Sequence, residues 1–233
     1  TPVRGVRGVA AELPALAGVK THALLVGVDK YNHHPNLANP VRDVRAVEKE
    51  LREAYNVETQ LLVNVTRDKF QTALRGLAER EYGPDDQLLV FFSGHGWFDE
   101  VVKRGYLALS DSLPLDSDTN RNTYISLEDV KTPLERLDCR HVLLIIDSCY
   151  SGTLDPVIAM GSDGRLVGDA PNSNISTDEF IRRKMRYVTR RYITAGGKEY
   201  VPDGRPGHNS PFARGILTAL RDFGGSDGIL AFE

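Results

Sequence analysis

The sequence predicts an α/β protein with a mainly parallel central sheet and helices on both faces. Short apolar runs of the kind that form buried strands recur along the chain, and most are separated by stretches whose apolar residues repeat at helical spacing. Such alternation points to crossover connections, and hence to parallel strands covered by helices. The two strongest runs, residues 88–92 and 142–146, each break at small residues beside a reactive side chain, His95 in one case and Cys149 in the other. The chain shows no internal repeat.

Taken in order, residues 1–19 are rich in Gly, Ala and Arg with little periodicity and read as a leader or linker. Residues 23–28 form a first buried strand. Asn39-Pro40 is a helix start, with Asn as N-cap and Pro at the first helical position, and Val44, Val47, Leu51 and Ala54 continue it at helical spacing. A second strand covers 59–63, and Thr66 caps a second helix running to about Arg80. The third strand is 87–92. Ser126-Leu127-Glu128-Asp129 matches a capping box before another helix, which Pro133 weakens in its middle. A fourth strand covers 141–147, a fifth 191–195, and a last helix runs from about Pro211 to Asp222. Residues 152–174, rich in Gly, Asp, Pro, Ser and Asn, are too long for an ordinary connection and read as a functional or disordered loop.

At 233 residues and 41% hydrophobic, the chain suffices for one well-formed core. A net charge of -3 with both signs interspersed gives no basic field to recruit nucleic acid. Cys139 and Cys149 sit at opposite ends of one expected strand, too far apart for a disulfide, so two free thiols in a reducing, cytoplasmic compartment are expected. No apolar stretch approaches the roughly 18 to 20 residues of a membrane span, and residues 1–10 lack a signal-peptide core. The chain starts at Thr1 without a Met and stops at Glu233 without a turn or cap, so a piece of a longer protein is expected.

A thiol becomes a strong nucleophile as a thiolate, and an adjacent imidazole can take its proton. His95 and Cys149 are 54 positions apart, but a parallel sheet gathers the residues that follow its strands at one carboxyl edge. Gly96 would let the backbone turn tightly, so that its N–H and that of Cys149 could receive a developing oxyanion. Alone, a Cys after an apolar run is usually a small core residue and a His before Gly a loop residue. Their joint occurrence at two strand ends points to Cys/His chemistry.

Ser93-Gly94-His95-Gly96 and Asp147-Ser148-Cys149-Tyr150-Ser151-Gly152 resemble the His and Cys motifs of caspase-like cysteine peptidases, in particular the metacaspase branch and its prokaryotic relatives. The likeness extends to Leu24-Leu25-Val26-Gly27-Val28 with the segment 37–44, to Ile193-Thr194-Ala195-Gly196-Gly197 and to Ser210-Pro211-Phe212, over about residues 20–223. It implies a caspase/haemoglobinase fold and a His95/Cys149 dyad. The peptidase domain would span 20–233: a large-subunit-like part at about 20–152, the polar loop at about 153–190 and a small-subunit-like part at about 191–233.

Caspases carry Gln two residues before the nucleophile, whereas this chain has Asp147, which would pair with Arg or Lys and repel an acidic P1 side chain. By the same resemblance Asp43 and Ser93 would complete the S1 pocket, although the family's Gly-Cys-x-Asn-Asp appears here as Asn39-Pro40-Val41-Arg42-Asp43. Asp43 can equally be a carboxylate favoured by the helix dipole.

The reading is therefore a cysteine endopeptidase that cuts protein or peptide substrates after Arg, less readily Lys, and cleaves itself after a basic residue between Arg165 and Arg191. It is expected as a monomeric domain, with room for a regulatory domain or partner protein and with no nucleic-acid or membrane partner. No cofactor is required. Calcium activation falls within what the resemblance implies, with no site assigned. The rival is a catalytically silent caspase-like interaction module, and transpeptidation on the same acyl-enzyme is a third reading.

Other motifs carry less. Residues 94–99 hold two of the three glycines of a dinucleotide loop, with no following helix. Asp227-Gly228 resembles part of a calcium loop, but Phe223 stands at its first ligand position. His33 and His34 read as exposed loop residues, and the basic run Arg182-Arg183-Lys184-Met185-Arg186 as a solvated helix face or processing site.

Overall fold

β1 (Thr21–Gly27) is the strand from which the fold is built, because alternate side chains of THALLVG are apolar on both faces and nearly all are buried. In the computed structural model, which describes residues 18–149, 176, 179, 182–183, 185–196 and 203–222, it pairs in parallel with strands on either side. The expected leader up to residue 17 and most of the polar loop lie outside the described residues.

After β1 come α1 (Pro40–Tyr55), β2 (Glu58–Val63), α2 (Arg67–Glu79) and β3 (Gln87–Ser93). Three short strands follow, β4 (Gly96–Asp99), β5 (Arg104–Leu107) and β6 (Ile125–Ser126), and then α3 (Leu127–Glu135). The described chain closes with β7 (His141–Asp147), β8 (Thr189–Thr194) and α4 (Pro211–Asp222). The central sheet has the order β2-β1-β3-β7-β8 with every pair parallel, as the alternation of elements requires.

Strand alternation splits the core into two layers. Leu24 and Val26 of β1 face Phe70, Leu74 and Leu77 of α2 and Val130 and Leu134 of α3. Ala23 and Leu25 face Val44, Val47 and Leu51 of α1 and Ile216, Leu217 and Leu220 of α4. Each fully buried Leu or Phe in these layers contributes about 2 kcal/mol of burial free energy.

Local signals set the ends. Thr66 Oγ1 accepts from the Lys69 amide and Ser126 Oγ from that of Asp129, so two of the expected caps form. Asn39 does not cap α1: its φ and ψ are -118° and -20°, and no side-chain cap bond forms. Its amide group is drawn instead to the main chain of Asp203 and Arg205. The antiparallel sheet β4-β5-β6 was not expected from sequence, because strands of four, four and two residues are too short for any periodicity.

Candidate active site

β3 and β7 pair with Ser93 opposite Asp147, and the Gly94 amide donates to the Asp147 carbonyl at 3.2 Å, carrying the pairing one residue past the strands. His95 and Cys149 each lie two residues beyond that matched pair, so the ladder itself brings them to neighbouring positions at the carboxyl edge. Both are half-buried, and Cys149 forms no disulfide. Cys139, at the far end of β7, is buried and free, its thiol pushed up by burial and directed at the Asp86 carbonyl.

Gly96 is needed for a different reason from the expected tight turn. It lacks the left-handed backbone of Gly18, Gly204 and Gly207. A Cβ there would lie 2.1 Å from the Cys149 carbonyl oxygen and 2.8 Å from Ser148 Oγ. The glycine therefore permits the His and Cys segments to approach backbone to backbone. Gly94 instead leaves room for side chains, since a Cβ there would lie 2.9 Å from the Tyr31 hydroxyl and 3.1 Å from the Phe92 ring.

His95 is held from two sides. Its amide donates to Tyr31 Oη at 2.8 Å, that hydroxyl donates to the Val28 carbonyl at 2.8 Å, and the two rings lie 4.7 Å apart. Its Nε2 stands 2.9 Å from the Pro35 carbonyl oxygen. A carbonyl only accepts, so Nε2 carries the hydrogen and Nδ1 is left with the basic lone pair. Burial pushes the Tyr31 phenol far above its usual range, which keeps it a neutral donor. His33 is exposed as expected, but His34 is half-buried: its Nε2 lies 2.9 Å from Tyr124 Oη, its ring is 6.5 Å from that of His95, and burial lowers its basicity.

Beneath this edge, Asp43 on α1 and Asp147 at the end of β7 meet through one serine. Gly27 lets α1 pack close to β1, since a Cβ there would lie 2.9 Å from the Pro40 carbonyl oxygen, and this brings Asp43 in. Asp43 is fully buried and accepts from Asn209 Nδ2 at 2.7 Å and the Ser210 amide at 3.1 Å. Ser210 Oγ donates to Asp147 at 2.6 Å while accepting from the Ala213 amide at 2.9 Å, so it also caps α4. Ser93 is buried in the ladder between Gly27 and Asp147.

Burial raises the Asp43 carboxyl to about 6 against the hydrogen bonds from Asn209 and Ser210, with the charge of Asp203 adding to the rise. Asp147 is likewise raised to about 6 by burial and by the charges of Asp43 and Asp203, against the Ser210 bond. The donors bound to these carboxylates are neutral. Sequence reasoning missed Asp203, Asn209 and the bridging role of Ser210. Asp203 sits in a Gly- and Pro-rich stretch that reads as plain loop, and its Oδ2 accepts from the Ala38 amide at 2.7 Å. Among the described residues no group of three or more His, Cys, Asp or Glu is arranged to hold a metal ion.

The family profile described as the caspase domain matches residues 20–230. The chain belongs to the caspase domain family. This caspase-family chain is similar to a crystallised protein from Geobacter sulfurreducens, with a TM-score of 0.56 and 17% identity over 86% of this chain and 81% of that one. It is also similar to caspase-1 from Spodoptera frugiperda, with a TM-score of 0.55 and 13% identity over 87% of this chain and 69% of that one. At such identities the likeness is one of fold, and the five-stranded parallel sheet with helices is the caspase fold. No curated protein matches the sequence. Family membership gives the coarse activity, that of a cysteine-peptidase domain acting on protein substrates. No helix among the described residues is long and apolar enough to cross a membrane.

Proposed function

We propose that this caspase-family domain is an endopeptidase that cleaves after Arg, and less readily after Lys. The observation that carries the reading is the pair of buried carboxylates, Asp43 and Asp147, joined through Ser210 directly under the edge where His95 and Cys149 follow paired strands. Two buried acids served by neutral donors favour a cation, and a guanidinium with its planar fork of N–H groups fits two carboxylates better than a point-charge ammonium. An acidic P1 group would meet like charge.

In this mechanism Cys149 Sγ forms a bond to the scissile carbonyl carbon as its proton passes to His95 Nδ1. The Gly96 and Cys149 amides receive the oxyanion. Collapse breaks the C–N bond, and Nδ1–H protonates the departing amine, leaving a thioester. Water then adds to the thioester as it gives a proton to Nδ1, and that proton returns to sulfur when the acid product leaves. The bond from Nε2 to Pro35 keeps the ring in the tautomer this cycle requires.

A panel of fluorogenic peptides differing at P1 tests the reading. Arg should exceed Lys by about tenfold in kcat/KM, the worth of about 1.4 kcal/mol in pairing, and Asp should not be cleaved. Preference for Asp at P1 would overturn it. Self-cleavage after a basic residue between Arg165 and Arg191 is a second expectation, in a stretch only partly described, where Arg182, Arg183 and Arg186 are exposed. New termini found by intact mass should be absent from a Cys149→Ala chain incubated in parallel.

A further inference from the structure

We propose that Asn39 is a positioning residue for P1 recognition: it fastens the loop 203–210, whose other end supplies the donors to the two pocket carboxylates. The inference rests on the Arg-specific reading above. Asn39 is fully buried, immediately ahead of α1, where a capping role would be the ordinary use of an asparagine. It forms no such cap. Its Nδ2 donates to the Asp203 carbonyl at 2.5 Å and to the Arg205 carbonyl at 3.2 Å. Two carbonyl partners fix which end of the amide is nitrogen, so Oδ1 is the other atom, and it is buried without a hydrogen-bond partner. An Asn that leaves one polar atom unpaired and gives up its cap is being spent on the contact it does make, because each omission costs about 1 kcal/mol or more.

That contact reaches 164 and 166 residues along the chain. A second tie lies beside it, from the Ala38 amide to Asp203 Oδ2 at 2.7 Å. At its far end the same loop delivers Asn209 Nδ2 and the Ser210 amide to Asp43 and Ser210 Oγ to Asp147. Between the ties run Gly204 and Gly207, both with left-handed backbone, and exposed residues 204–208, a stretch with little packing of its own to fix its course. Releasing the Asn39 end therefore lets the Asn209-Ser210 end drift, and the carboxylates lose their spacing. Thiolate formation at Cys149 does not depend on this loop.

Asn39→Ala and Asn39→Ser decide the matter, assayed on an Arg-P1 substrate with melting temperatures taken alongside. Serine is a good cap but too short to reach the 203–205 carbonyls, so capping and fastening part company. We expect KM to rise about tenfold in both variants with kcat within about threefold of wild type, and alkylation of Cys149 by iodoacetamide to keep its wild-type rate. Recovery of KM in Asn39→Ser would assign Asn39 to capping and overturn the inference, as would equal losses in kcat and in alkylation. Should neither variant fold, Asp203→Ala is compared with Asp203→Asn: both remove the charge that acts on the two carboxylates, but only alanine removes the acceptor for the Ala38 amide, so KM should rise about tenfold more in the alanine variant. Equal KM values in the two overturn the inference. A wild-type enzyme that turns over other substrates but ignores Arg at P1 defeats the Arg-specific reading itself, and this inference with it.

Discussion

Replacing Cys149 with alanine is expected to leave a folded domain whose peptide turnover is at least a hundredfold below wild type, on the scale such residues usually command. The residue is half-buried past the end of β7, outside both apolar layers of the core, so loss of one sulfur should shift the melting temperature by no more than a few degrees. His95→Ala should cost nearly as much, and the double variant little more, because groups that act as one unit are not additive. A Pro35 carbonyl that fixes the His95 tautomer cannot be deleted by mutation, but Tyr31→Phe removes the hydroxyl that accepts the His95 amide and donates to Val28. Single-turnover assays and thermal melts on the same preparations check these outcomes. Substantial activity in Cys149→Ala would rule out covalent catalysis through this thiol.

The second large effect joins recognition to stability. Asp147→Asn should lower kcat/KM on Arg substrates by about a hundredfold, since removing one member of a buried charge pair costs about 3 kcal/mol, and it should make the domain more stable at neutral pH. The sign follows from titration. Asp147 ionises at about 6 in the folded chain against an ordinary 3.8. Well below the ordinary value of 3.8 the carboxyl is neutral in both states and stability is undiminished. Between 4 and 6 the unfolded chain loses its proton first, and stability falls until the folded carboxyl is also ionised. Asparagine carries no such penalty. A melting temperature higher than wild type by several degrees is expected at pH 7.5, with little of that gain at pH 4. Wild-type kcat/KM on Arg should climb as pH rises through about 6, as the pocket acquires charge. A melting temperature lowered equally at both pH values, or undiminished Arg cleavage, would refute the assignment.

What could be read in the sequence was what local chemistry decides. The run HVLLIID reads as a strand and ends at Asp147, as β7 does, because a continuous apolar run admits little else. Thr66 and Ser126 cap helices because their partners lie three residues away. β8 begins at Thr189 instead of 191 because pairing with His141, a tertiary fact, sets its start. Asn39 is the clearest departure: its sequence neighbours say cap, whereas a loop more than 160 residues away takes its side chain. Asp203 escaped notice for the same reason. Motifs revealed the residues at the strand ends, but the supports that aim them come from segments with no pattern of their own.

The order of elements along the chain has a consequence for synthesis. The proposed base and nucleophile follow β3 and β7, both made before the loop 203–210 and α4, so a nascent chain paired as far as β7 already has the segments that carry His95 and Cys149 side by side. It does not yet have Asn209 and Ser210 to organise Asp43 and Asp147. On the proposed roles, chemical reactivity precedes discrimination on the ribosome. A translational pause between β7 and α4 would expose a thiol open to small electrophiles but without its filter for basic side chains.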